Sequence, residues 1–126
     1  IDWAEGRGGE PGLTHYLTKR PWRYTPGQKR FLILWYYVNE DLKFVYRRAI
    51  RRGAKGTGKD PFAAAIADSE LCGPVEPYDW DKKTGRPVGR RRAMPLVQIA
   101  SNSEAQSKDL LRLANALWSE EAIEYY

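Results

Sequence analysis

A glycine-rich loop between two runs of different character constrains the fold of this chain more than any other feature. The loop spans residues 53–60, GAKGTGKD. Residues 44–50 before it are rich in β-forming side chains, and residues 61–71 after it combine high helix propensity with an apolar stripe. The order strand, glycine loop, helix is typical of a phosphate-binding loop, where backbone N–H groups and a helix N-terminus converge on an anion.

The loop residues predict a binding site for ATP with Mg²⁺. Glycines let the backbone curl around the phosphates, and Lys59 is expected to reach the β- and γ-phosphates and to act as the catalytic residue. Lys55 adds positive charge nearby. The predicted cofactor-binding residues are Gln28, Gly53, Lys55, Gly56, Thr57, Gly58, Lys59 and Asp60.

Asp60 stands where a phosphate-binding loop usually has Ser or Thr. The usual hydroxyl coordinates Mg²⁺. A carboxylate is also a hard oxygen ligand for this ion, although it brings negative charge close to the phosphates, so we predict Asp60 as a metal ligand. The other interpretation is that Asp60 caps the helix, because Asp is favoured near helix N-termini and Pro61 suits a first turn. Both interpretations stay open, and both can be true.

Gln28 lies in a segment that predicts a helix over residues 26–40, with Pro26 acceptable in its first turn. The apolar residues with helical spacing are Phe31, Leu34, Trp35, Val38 and Leu42. An amide side chain can offer both a donor and an acceptor to the edge of adenine, so Gln28 is a candidate reader of the base. The alternative is that Gln28 is an ordinary surface residue.

The sequence divides into two parts, an N-terminal arm and a domain. Residues 1–27 are rich in glycine and proline and predict an irregular N-terminal arm, tethered by its aromatic side chains. Residues 28–126 are expected to be the N-terminal part of a P-loop ATPase domain. Within it, residues 73–94 predict a basic loop with a loose hairpin.

A second strand and a second helix follow the basic loop. Residues 95–100 predict a buried strand, and Ser103 with Gln106 forms a capping box at the start of a helix. Two strands joined by a helical crossover favour a parallel sheet. The predicted fold class is therefore α/β, a P-loop NTPase-type parallel sheet flanked by helices, present as an incomplete domain.

Composition indicates which class of partner and which location to expect for the protein. A formal charge of +5 and a pI near 9.4 fit a polyanionic partner such as nucleic acid. The single cysteine, Cys72, cannot form an internal disulfide, and no apolar run approaches the roughly 20 residues of a membrane span. We expect an intracellular protein with no membrane partner, and a buried, structural Cys72.

Three segments carry a family resemblance: residues 26–30 (PGQKR), residues 55–75 (KGTGKDPF through ELCGPV) and residues 95–106 (PLVQIASNSEAQ). They resemble the N-terminal ATPase portion of the large subunits of phage terminases, the motors that drive DNA into capsids, particularly those of actinobacterial phages. By this resemblance Gln28 matches an adenine-side glutamine, Lys59 the phosphate lysine and Lys55 a basic position of the loop. Residues 101–106 match a junction with a coupling or DNA-facing role.

The resemblance implies a viral DNA-packaging function in the cytoplasm of a bacterial host. Its implied partners are double-stranded DNA, a small terminase subunit and a portal, with homo-oligomers an option in the full motor. Such motors also need acidic residues after a later strand and clustered nuclease carboxylates, and neither can be identified in this sequence. The parent protein is expected to be an ATPase, whereas enzymatic activity of this chain alone stays undecided.

Other functions remain alternatives. The main one is a non-hydrolysing nucleic-acid-binding remnant with a degenerate phosphate loop; the basic loop, with Tyr78 and Trp80 for stacking, either contacts DNA or is merely solvated. A small-molecule kinase fits less well, because the aromatic arm and Gln28 precede the loop. Arginines also flank the loop, and one of them could sense phosphate or all could be solvated: Arg47, Arg48, Arg51 and Arg52.

Overall fold

The computed structural model describes residues 1–53 and 58–126. The helices and strands follow the chain in the order α1 (Pro26–Trp35), α2 (Lys59–Cys72), β1 (Glu76–Trp80), β2 (Pro87–Arg90), α3 (Glu104–Ala116) and α4 (Glu120–Tyr125). Within these residues β1 and β2 form one two-stranded antiparallel sheet.

The predicted parallel-sheet, P-loop NTPase-type fold is wrong. The described residues form four helices and one antiparallel hairpin, and neither predicted core strand is part of a sheet. Residues 44–50 make a single isolated bridge, between Val38 and Phe44, and residues 95–100 are irregular. β-forming side chains favour a strand only where a neighbouring strand supplies ladder hydrogen bonds and packing. Among the described residues, 95–100 have no such neighbour, and 44–50 have only the short contact with Tyr37 and Val38.

Helix α1 begins where the sequence predicted and ends five residues earlier than residue 40. The bulky run after Trp35 has modest helix propensity, and the chain instead turns back at Asn39. The Asn39 side chain accepts hydrogen bonds from the backbone N–H groups of Asp41 (2.9 Å) and Lys43 (3.0 Å), which stabilises the turn. This turn allows the Val38–Phe44 bridge and competes with further helix.

The core is built where α2 packs against α1 and α3. The ring of Phe62 is 2% exposed and meets the edges of Tyr24 and Phe31. Ala64 and Ala65 are fully buried, and their small side chains let the backbone of α2 approach its neighbours closely. Leu117, which follows α3, is also fully buried.

The irregular segment before α1 contributes directly to this core. Its buried apolar residues are Trp3, Ala4, Leu13, Trp22 and Tyr24. Backbone hydrogen bonds join Leu13 N–H to the Ala4 carbonyl and Thr14 N–H to the Leu117 carbonyl, each at 2.8 Å. The Trp3 indole donates to the Tyr126 hydroxyl at 2.7 Å. The segment therefore lacks regular helix or strand, as predicted, but it fills the core rather than lying only over the surface.

The predicted hairpin in the basic loop is confirmed. Glu76 pairs with Arg90 and Trp80 with Pro87, with a bulge between Pro77 and Asp79. Gly85 has φ +69° in the turn, a conformation that glycine adopts without strain. At Gly89 a Cβ atom would lie 2.0 Å from the Pro74 carbonyl oxygen, so the close approach of these two backbone segments requires glycine.

Candidate nucleotide-binding site

Helix α2 starts at the end of the glycine loop. Gly58 is its N-cap residue, with a left-handed φ of +76° that favours glycine. No described side chain caps this end of the helix. The first-turn N–H groups and the positive end of the helix dipole are therefore available to an anion.

Lys59 and Asp60 are the first two residues of α2. Asp60 lies in the first turn and not at the cap, so its carboxylate stabilises the helix through the dipole rather than through a cap hydrogen bond. The described residues contain no group of three or more His, Cys, Asp and Glu side chains that could hold a metal ion. A magnesium ion at Asp60 would take its other ligands from phosphate and water, and this role stays a prediction.

Gln28 lies against the start of α2. A methyl group added at Gly58 would sit 4.0 Å from Gln28 Nε2. The same glutamine completes a capping box for α1: its Oε1 accepts from Thr25 N–H at 3.0 Å, and its own N–H donates to Thr25 Oγ1 at 3.3 Å. Gln28 is 6% exposed, so it is a packed structural residue as well as a candidate base reader.

A cavity of about 440 Å³ opens beside Lys59 and Asp60. Its volume is within the range of small-ligand sites. Packing of α3 against α2 brings the other walls into place. These walls are formed by Ile99, Ala100, Ser101, Gln106, Asp109, Leu110 and Leu113.

Local hydrogen bonds fix the α3 wall of the cavity. Ser103 caps α3, as predicted, by accepting from Gln106 N–H at 3.3 Å. The Ser101 hydroxyl contacts the Ser103 carbonyl at 2.5 Å and the Ser107 hydroxyl at 2.6 Å. The segment that sequence analysis assigned a coupling role therefore faces the cavity beside Lys59.

Part of the predicted site lies outside the described residues. Lys55, Gly56 and Thr57 fall between residues 53 and 58, and their predicted roles are neither supported nor opposed here. Gly53 is described and exposed. The structure thus brings together Gln28, Gly58, Lys59 and Asp60 from the predicted set.

The two arginine-rich segments differ in how their charge is balanced. In the basic loop, ion pairs join Arg90 to Glu76 (2.7 Å), Arg91 to Glu10 (2.8 Å) and Arg92 to Glu70 (3.2 Å). The arginines before the glycine loop are exposed, and no carboxylate of the described residues pairs with them. Three arginines of the basic loop are therefore paired, whereas the exposed cations of the hairpin turn, Lys82, Lys83 and Arg86, have no carboxylate partner among the described residues either.

Two buried carboxyl groups escaped sequence analysis. The Glu5 side chain is fully buried, accepts from Tyr24 N–H at 3.3 Å and lies 3.7 Å from Lys29 Nζ. Asp68 is 1% exposed, and its Oδ2 has no hydrogen-bond partner among the described residues. Helical spacing from Ala64 and Ala65 places Asp68 on the buried face of α2, a signal that could have identified it. Glu5 lies in irregular chain, where no periodicity exists.

Two curated proteins are similar to this chain. The "Gene 13 protein" of Mycobacterium phage D29 is 40% identical over 89 residues, which cover 71% of this chain and 15% of the relative. The protein of the same name from Mycobacterium phage L5 is 39% identical over 89 residues, with the same coverage. The chain therefore spans about 15% of the length of the curated relatives it matches. No protein-family model matches the sequence, and no solved structure matches it.

These findings correct the expected family. The name "Gene 13 protein" states no activity, and nothing in the comparisons indicates a terminase, so the assignment to terminase large subunits is wrong. Glycine-lysine loops and capping patterns are short and recur by chance, which is why such segments alone mislead. What the comparisons support is similarity to mycobacteriophage proteins.

No helix in the described residues is long and apolar enough to cross a membrane.

Proposed function

We propose that this chain binds ATP with Mg²⁺ at the N-terminus of α2. The observation that carries the proposal is the cavity of about 440 Å³ beside Lys59 and Asp60, at a helix start introduced by a left-handed Gly58. Backbone N–H groups and the helix dipole would hold phosphate oxygens, and the Lys59 ammonium would bind the terminal phosphates. Asp60 would hold Mg²⁺, which neutralises phosphate charge.

The wider role that we propose is in a phage protein that uses ATP to move double-stranded DNA in the cytoplasm of its bacterial host. The mycobacteriophage origin of both relatives supports the phage setting. The alternative is nucleic-acid binding without hydrolysis. The ion pairs of Arg90, Arg91 and Arg92 weigh against these three arginines as DNA contacts, because their charges already have partners.

Calorimetric titration with a non-hydrolysable ATP analogue and Mg²⁺ tests the proposal on Lys59. We expect Lys59→Ala to weaken binding by roughly tenfold or more, since hydrogen bonds to charged groups are among the strong ones. Lys83→Ala is the matched control, because Lys83 is an exposed lysine in the hairpin turn, and its affinity should equal wild type. Equal losses in both variants, or no binding by a folded wild-type chain, would show that α2 does not form the site.

The same titration without Mg²⁺ separates the two roles of Asp60. If the carboxylate holds the metal ion, wild type should gain affinity from Mg²⁺. Asp60→Ser should bind the metal-free analogue more tightly than wild type does, because a negative charge beside the phosphates is removed. An affinity that neither Mg²⁺ nor the substitution changes would leave Asp60 with its helix-stabilising role alone.

A further inference from the structure

An aromatic groove lies between residues 43–47 and residues 96–98. Its volume of about 780 Å³ is within the range of ligand and anchor-residue pockets. Trp35, Phe44 and Tyr46 contribute aromatic wall, and Leu96 contributes aliphatic wall. Tyr46 and Leu96 are both exposed. The groove therefore presents apolar surface that a docked partner would remove from water.

The uncompensated charge of this groove is positive. Lys43 and Arg47 line it, are exposed, and have no carboxylate partner in the described part of the chain. Glu70 also lines the groove, but it accepts from the Tyr36 hydroxyl at 2.8 Å and pairs with Arg92 at 3.2 Å. A partner that combines an apolar side chain with carboxylates would match the groove in both respects.

The outward face of α4 has this combination. Ile123 is 65% exposed, and helical spacing places Glu120 and Glu124 on the same face. Both glutamates are exposed, and no cation of the described residues pairs with them. Ala122 is fully buried, which determines the face of this short helix that is turned outward.

The stability of α4 alone does not account for Glu124. A negative charge near the C-terminal end of a helix opposes the helix dipole, and the last turn of α4 has no basic residue to balance it. Glu120 and Glu124 are also four residues apart, where like charges repel each other. Cations from outside the helix would relieve both effects.

Exposed aliphatic side chains on the other helices have different surroundings. Ile33 and Leu34 on α1 follow the exposed Arg30 by three and four residues, so they would bring a cation toward the two cations of the groove. Leu111 on α3 lies beside Lys108 and Arg112, whose charges are already balanced by carboxylates of the same helix. Charge complementarity therefore favours α4.

We propose that two copies of this chain associate head to tail, with the Ile123 face of α4 from one copy in the aromatic groove of the other. Ile123 is the apolar anchor, and Glu120 and Glu124 pair with Lys43 and Arg47. The contact joins two different surfaces, so each pair keeps one open groove and one open helix face, and association can continue. This contact goes beyond the proposed ATP site and does not depend on a nucleotide.

Sedimentation velocity over a concentration series from about 1 μM to about 1 mM tests the inference. We expect wild type to associate as its concentration rises. Ile123→Ser should weaken association by about tenfold or more, because the buried aliphatic anchor is lost. Arg47→Glu should weaken it by a similar factor, because like charges then face each other. Circular dichroism should be unchanged in both variants, since both side chains are exposed.

Two matched controls and two rescue experiments accompany these variants. Arg48→Glu and Leu17→Ser change exposed residues that are not among the described lining of the groove, and both should associate as wild type does. An equimolar mixture of Arg47→Glu and Ile123→Ser should form dimers, because the first keeps its helix face and the second keeps its groove. The double variant Arg47→Glu, Glu124→Arg should recover part of the lost association, because it exchanges the two charges.

Four outcomes would overturn the inference. A wild-type chain that stays monomeric throughout would do so, and binding of the dye ANS by the same samples would then assign the groove to a different partner. Association that Ile123→Ser leaves unchanged would place the contact elsewhere. Equal losses in Arg47→Glu and Arg48→Glu would indicate an effect of net charge. A mixture of Arg47→Glu and Ile123→Ser that stays monomeric would show that the groove and α4 do not meet.

Discussion

At the scale of single residues, Asp68 is the carboxyl group whose pKa burial raises most clearly. Burial on α2 raises its pKa to about 7, and the Trp118 indole opposes the rise less strongly. The unfolded chain releases this proton near pH 4. Between about pH 4 and 7 the folded state therefore binds more protons than the unfolded state, and stability falls as the pH rises. We expect a loss on the order of 2 kcal/mol between about pH 5 and pH 8.

Urea unfolding of wild type and Asp68→Asn at both pH values measures this effect. Asn has nearly the same shape and stays neutral, so the variant should lack this pH dependence and should exceed wild type in stability at the higher pH. Asp109→Asn, at an exposed carboxylate, should keep the wild-type dependence. A pH dependence that Asp68→Asn retains would show that other groups cause it.

Sequence could identify single residues where a local rule acts. Ser103 follows from cap preferences and caps α3 as expected, whereas α2 begins at Lys59 with Gly58 as its N-cap, two residues before the expected start at Pro61. Cys72 was expected to be buried and is half-buried, with a pKa raised by burial and by Asp68. The Arg51–Phe62 contact could not be predicted, because it joins segments that only tertiary packing brings together.

At the scale of elements, the start of α1 links stability to the candidate site. Thr25 and Gln28 exchange two hydrogen bonds in the capping box. Thr25→Ala should cost about 1 kcal/mol of stability through the lost cap. It should also weaken binding of the ATP analogue modestly, because Gln28 Nε2 is held near Gly58 by the same box.

Thermal unfolding and calorimetry of Thr25→Ala measure the two effects together. Thr84→Ala is the control, since Thr84 lies in the exposed hairpin turn and its hydroxyl accepts only from Arg86 N–H at 3.3 Å among the described residues. A stability loss without any change in affinity would show that Gln28 keeps its position without the cap.

Elements were predictable from sequence where their signals are local. Helices α1, α2 and α3 carry caps, glycines or apolar periodicity within their own sequences. The hairpin carries a glycine, Gly85, in its turn. The two expected core strands depend on non-local partners. Residues 44–50 and 95–100 have suitable composition, but a sheet also requires a hydrogen-bonded neighbouring strand. The described chain offers residues 44–50 only the bridge to Val38 and places no strand beside residues 95–100.

At the scale of the whole molecule, the failed strand predictions leave apolar surface uncovered. Ile50 is 87% exposed and Leu96 is 80% exposed, one in each predicted strand. A groove of about 780 Å³ lies between the two segments, with Phe44 and Tyr46 on one wall and Leu96 and Val97 on the other. Exposed apolar groups that cluster around a groove bind hydrophobic dyes and favour association.

We therefore expect the wild-type chain to enhance the fluorescence of the dye ANS, and the double variant Tyr46→Ser, Leu96→Ser, at two exposed residues of the groove, to reduce that signal by roughly half. Its stability should change by less than about 0.5 kcal/mol, because exposed side chains contribute little to folding. Leu17→Ser is the matched control, since Leu17 is 73% exposed outside the groove and should leave the signal unchanged. A wild-type chain that gives no ANS signal at any concentration would mean that these segments are covered in solution. Sedimentation would then show whether self-association covers them, because association through an apolar surface strengthens with concentration.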